Sequence, residues 1–143
     1  MNPLLPRPLD AGYDGRAARI YLGLLAVLTI VPGLIHSYLP DGGAGVIAGM
    51  DLAGRRETVV SLFAWKGATQ IPWGLAILAV ALRYPTLTPL FLLLLLLEKI
   101  LLAGRAWVFH PPASGHHPPE HYTTLIFIPL TLLFLFIALR RRA

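Results

Sequence analysis

The sequence predicts an all-α protein: an integral membrane four-helix up-down bundle with a short interfacial helix in its first outer loop. Three observations lead there. Of the 143 residues, 56% are hydrophobic and only 13% are Asp, Glu, Lys or Arg, against about 45–50% and about 25% in soluble domains. The mean hydropathy is +0.67. The apolar residues also gather into four stretches of about 20 residues, the length that crosses a bilayer. So little charge excludes an ordinary soluble globule, and so much apolar surface excludes a disordered chain.

Taken in order, residues 1–143 read as one transmembrane domain. A cytoplasmic tail covers residues 1–19; Leu4, Leu5 and Leu9 are suited to rest on the lipid surface. Pro3, Pro6, Pro8, Asp10 and Asp14 precede any long apolar run, so this tail does not read as a secretory signal. The first span, residues 20–39, is closed by Pro40, Asp41, Gly42 and Gly43. Residues 41–52 form the first outer loop, weakly apolar and expected to hold the interfacial helix. The second span covers residues 58–82 and the third 86–109, separated only by Arg83-Tyr84-Pro85. So short a turn makes these two spans antiparallel neighbours. The fourth span, 122–139, follows a proline-rich loop whose Pro118 and Pro119 suit a helix start, with Glu120 favourable beside the N-terminus. A cytoplasmic tail, 140–143, ends the chain. Pro32, Pro72 and Pro129 fall inside spans, where lipid-embedded helices tolerate them.

Charge sets the expected orientation. The net charge of +5 comes from 12 Lys and Arg against 7 Asp and Glu. Arg7, Arg16, Arg19, Arg83 and Arg140 to Arg142 fall on one side of a four-span chain, which makes that side cytoplasmic. Basic residues at segment ends suit anionic lipid, so nucleic acid is not an expected partner despite a pI near 10.1. The absence of Cys excludes thiolate catalysis, disulfides and cysteine metal sites. Trp107, Tyr38 and Tyr122 are placed for an outer aromatic belt, Tyr21 and Tyr84 for an inner one.

Ionisable groups at membrane depth cost about 2.5–3.5 kcal/mol on insertion scales and face a partner or a cavity. The second span carries Lys66, Thr69 and Gln70; the third carries Glu98, Lys99 and Arg105. Lys66, Gln70 and Trp73 follow an i, i+4, i+7 spacing on one helical face, with Gly67 and Gly74 allowing a backbone or ligand close beside them. Counting out from the Arg83 turn puts Lys66 and Glu98 about 6 Å apart in depth, so the two are expected to pair. One reading makes this a structural lock between helices. The other makes His36, Lys66, Gln70, Trp73, Glu98 and Arg105 the lining of a ligand site open to the outer side, with Glu98 and Lys66 as candidate catalytic groups.

The second outer loop holds four of the five histidines. A solvated, proline-stiffened loop explains them, and no metal site is assigned. Nucleotide-binding, haem-attachment and serine-hydrolase signatures are missing, and no cofactor can be named.

The run Trp65-Lys66-Gly67-Ala68-Thr69-Gln70-Ile71-Pro72-Trp73-Gly74, the Arg83 turn and the Glu98-bearing third span together resemble the DoxX-like group of small four-span bacterial membrane proteins. The likeness covers roughly residues 20–139, in span layout and in the glycines of the second span. One branch of that group is similar to a membrane subunit of a thiosulfate–quinone oxidoreductase, which implies a quinone-facing accessory role. No residue here carries that chemistry, so no catalytic residue is transferred.

The expected function is a small four-span protein of the bacterial inner membrane with both termini cytoplasmic, acting as an accessory or assembly subunit or a helical scaffold. Its expected partners are the lipid bilayer and other membrane subunits or further copies of itself. The alternative is a compact membrane enzyme or binding protein for a quinone, isoprenoid or sterol-like molecule.

Overall fold

A computed structural model of the chain describes residues 15–113 and 115–140. The expected lipid contacts of Leu4, Leu5 and Leu9, and the terminal Arg141 and Arg142, lie outside the described residues. Four helices account for most of the chain: α1 (Arg16–Tyr38), α2 (Arg56–Arg83), α3 (Thr88–Ala103) and α4 (Pro119–Leu139). No strand occurs among the described residues. Three helical segments, Arg16–Tyr38, Pro85–Phe109 and Pro119–Leu139, are long and apolar enough to cross a membrane. α2 is the least apolar, since it includes Arg56, Glu57, Lys66 and Arg83.

Local chemistry explains the helix ends. Leu39, extended at ψ 145°, precedes Pro40, whose ring disfavours helical backbone in the residue before it. Glu57 in the first turn of α2 and Arg83 in its last both suit the helix dipole. A 3₁₀ turn, Pro85–Leu87, leads into α3, and its far end opens into a wider turn over Gly104–Phe109. There the His110 N–H donates to the Arg105 carbonyl at 3.0 Å, five residues back. Pro119 opens α4 at the position where a missing N–H costs nothing, with Glu120 in the first turn.

The helices form two hairpins. α1 packs most extensively on α2, and α3 on α4; contact between the hairpins is sparse. The tight seam is made by small residues. A Cβ on Gly67 would stand 2.6 Å from the Gly33 carbonyl oxygen, and one on Gly74 only 2.5 Å from Ile30 Cγ1. The close approach that Gly67 and Gly74 permit is thus made by the backbone of α1. Where the hairpins meet, Leu22, Leu25, Ile77, Val80, Leu92, Leu95 and Leu135 form the core.

Both long loops lie at one end, where His116 Nε2 meets the Ala48 carbonyl at 3.2 Å. The Arg83 turn and the described termini lie at the other. At this tail end Tyr21 is no interfacial anchor. Its hydroxyl pairs with Thr131 Oγ1 at 2.8 Å, its ring stacks on Phe134 at 4.2 Å, and it is buried. A tyrosine whose hydroxyl finds a partner on the next helix can enter a core.

The loop expected to hold a short helix is wound instead as successive turns over residues 40–48. Asp41 organises it: its carboxylate accepts from the backbone N–H of Gly43 at 2.8 Å, Gly45 at 3.0 Å and Val46 at 2.8 Å. Gly42 and Gly43 have φ of 61° and 79°, a left-handed backbone that favours glycine and departs from a regular helix. The three N–H donors hold the Asp41 carboxyl below its ordinary value, with the Val46 bond the largest cause.

Candidate functional site

In the loop-end half of the molecule, titratable side chains from all four helices come near one another. Lys66 of α2 does not pair with Glu98: its Nζ donates to Glu120 Oε1 at 2.6 Å, with the two side chains 37% and 46% exposed. Glu98 is bridged by its neighbour Lys99, whose Nζ donates to Oε1 at 3.4 Å. The expected Lys66–Glu98 pair is therefore corrected on two physical grounds. α2 docks on α1 and makes little contact with α3, so similar depth across the Arg83 turn does not bring the residues together. In addition, helical side chains lean toward their own N-terminus. α2 starts at the loop end and α3 at the tail end, so Lys66 leans toward the loops and Glu98 away from them.

The Lys66–Glu120 pair is the centre of a wider cluster. Lys99 of α3 and His36 of α1 lie close enough to Glu120 to act on its carboxylate electrostatically. Each helix thus supplies one member: His36, Lys66, Lys99 and Glu120. His36 is fixed by a 2.7 Å contact from Nδ1 to the Gly42 carbonyl and by Phe63, whose ring meets it edge-on at 4.9 Å. A carbonyl only accepts, so Nδ1 carries the proton.

The other expected site residues divide. Gln70 lies one turn along α2 from Lys66, against Gly33 of α1, and its Oε1 is buried with no partner among the described residues. Trp73 closes the stripe by stacking on Phe91 of α3 at 5.5 Å. Lys66, Gln70 and Trp73 lie along one stripe of α2, but Lys66 and Trp73 reach the other hairpin while Gln70 packs against α1. Glu98 and Arg105 do not join them. Arg105 is exposed, and its Nη1 donates to the His110 carbonyl at 3.3 Å.

Two members, Glu120 and Lys99, were missed as site residues. Glu120 carried a legible signal, as an acidic first-turn residue at the loop end of α4 facing the only lysine of α2. Lys99 carried one too, as an ionisable group at membrane depth turned about 100° from Glu98 toward another helix. Beside the cluster, Trp107 stacks on His117 at 3.9 Å and donates from Nε1 to the His121 carbonyl at 3.3 Å. The Nδ1 atoms of His117 and His121 are hydrogen-bonded at 2.9 Å, one donating to the other. Among the described residues, no three His, Asp or Glu side chains are grouped to hold a metal ion.

This arrangement defines a helical protein with three segments long and apolar enough to cross a membrane and a polar cluster between its helices near one end. No family model, curated protein or solved structure matches the chain. What it does must follow from its own side chains.

Proposed function

We propose that this chain is a four-span protein of the bacterial inner membrane, with both termini cytoplasmic, that serves as an accessory or assembly subunit or helical scaffold of a larger membrane complex. One observation carries the reading. The Glu98 side chain is 43% exposed on a helix otherwise apolar enough to cross a membrane. A carboxylate turned outward at that depth is costly against hydrocarbon and favourable against another protein.

α2 fits as the fourth span. From Lys66 to Arg83 it rises about 26 Å, close to the roughly 30 Å of a hydrocarbon core, and Glu120 pairs with the Lys66 charge at its outer end. Arg16, Arg19, Arg83 and Arg140 gather at the tail end, which supports placing it in the cytoplasm. The span layout resembles that of the DoxX-like proteins, and that resemblance implies an accessory role.

Mild detergent extraction followed by native mass measurement tests the proposal: a stoichiometric co-purifying membrane protein or an oligomer is expected. A strictly monomeric particle with no co-purifying protein overturns it.

A second reading, a binding protein or enzyme for a lipophilic quinone, isoprenoid or sterol-like molecule, is favoured by Gln70. Its buried Oε1 without a partner suits a hydroxyl donor on an otherwise apolar ligand. A retained native lipid that Gln70→Leu releases supports it.

A further inference from the structure

The outer face of α3 is specific about what can cover it. Glu98 lies 13 residues after Pro85 and 11 before Phe109, about 20 Å and about 16 Å from the two ends of that segment. Around it Leu94, Leu97 and Leu101 are exposed, one position or one helical turn away. Lys99 satisfies the carboxylate poorly. It reaches only Oε1, at 3.4 Å, points about 100° around the helix, and also acts on Glu120 of the inner cluster. Lipid chains offer no donor for the remaining lone pairs.

A second copy of this chain does not fit the face. Copies inserted in the same orientation are related by a two-fold axis along the membrane normal, which brings like residues to equal depth. Glu98 would meet Glu98, and the exposed Arg105 would meet Arg105, in a medium where like charges repel strongly. A basic residue on a different helix satisfies the carboxylate instead.

We propose that the α3 face around Glu98 docks a partner transmembrane helix that carries a Lys or Arg at mid-membrane depth. The inference rests on the accessory-subunit reading and names the chemistry of its partner.

The full-length protein, labelled and reconstituted in phosphatidylcholine vesicles, is titrated with labelled synthetic Leu/Ala transmembrane helices bearing one central Lys or, as control, a central Leu. Energy transfer should report tighter association of the Lys helix, by about tenfold, the scale of one interhelical polar contact in a bilayer. Glu98→Gln should abolish that preference. Leu101→Trp, which keeps every charge, should weaken binding of both helices, and Leu132→Trp on α4 should not.

Equal binding of the two helices overturns the proposal, as does self-association of the protein that Leu101→Trp removes. If native complexes survive extraction unchanged by Glu98→Gln and Leu101→Trp, this face is the wrong one and the accessory role stands. If no complex or oligomer exists, the accessory role itself falls.

Discussion

Adding one methyl group at Gly67 probes what holds the first hairpin together. A Cβ there would stand 2.6 Å from the Gly33 carbonyl oxygen, 2.5 Å from Ser37 Oγ and 2.9 Å from His36 Cβ. Ser37 can rotate, but the Gly33 carbonyl is backbone and cannot move alone. An ordinary C···O contact is about 3.3 Å, so α1 and α2 must separate locally by about 0.7 Å. A gap of that size forfeits roughly a quarter to a half of each dispersion contact it opens. Overpacking of this kind costs about 1–3 kcal/mol, offset by about 1 kcal/mol because Ala is the better helix former. Gly67→Ala should therefore lose up to about 2 kcal/mol. Gly23, on the same helix pair, supplies the contrast: its Cβ would make only an ordinary contact, 3.9 Å from Ala81 Cβ. Gly23→Ala should gain about 0.5–1 kcal/mol from propensity alone. Unfolding of each variant in mixed micelles, followed by helical circular dichroism as sodium dodecyl sulfate is raised, measures both. If Gly67→Ala proves as stable as Gly23→Ala, the close backbone seam is wrong.

Three further outcomes follow from individual contacts. A double-mutant cycle on Lys66→Met and Glu120→Gln should return a coupling of about 0.5–1 kcal/mol, the modest value of a partly exposed pair; the same cycle on Lys66 and Glu98 should return nearly none. Because three N–H donors depress the Asp41 carboxyl below its ordinary value of 3.8, their stabilisation is complete above that pH and is lost as pH falls through the lower folded value. Melting temperature recorded between about pH 2 and 6 should show this acid loss, and Asp41→Asn should lack it while melting lower at neutral pH. At the tail end, Thr131→Val strands the buried Tyr21 hydroxyl and should cost about 1–3 kcal/mol; adding Tyr21→Phe, which keeps the Phe134 stack, should recover part of that loss in the same unfolding assay.

Much of the architecture is written in the order of residues. The length of an apolar run and the prolines, glycines and charges that bound it are local properties, and they are sufficient to place all four helices. The start of α4 at Pro119, the end of α1 before Pro40 and the turn after Arg83 all follow from the conformational limits of single residues. The crowding of ionisable groups on α2 and α3 was legible in the same way, as was the shared face of Lys66, Gln70 and Trp73.

Which helix lies beside which was not local, and the site depended on it. The brief Arg83 turn suggested that α2 and α3 are neighbours, yet a short connection limits distance only at one end. The backbone of α1, admitted by Gly67 and Gly74, covers one flank of α2 and leaves it little contact with α3. With α2 turned onto α1, and with each side chain leaning toward its own helix start, Lys66 meets Glu120 while Glu98 is left outside on α3. The winding of the first loop around Asp41 likewise required left-handed backbone at Gly42 and Gly43, which composition permits but does not demand. The sequence by itself determined the helices, their ends and the charges they carry. The tertiary structure alone decided the partners of those charges, because an ion pair depends on how two helix faces are rotated and packed, and a residue count measures only depth.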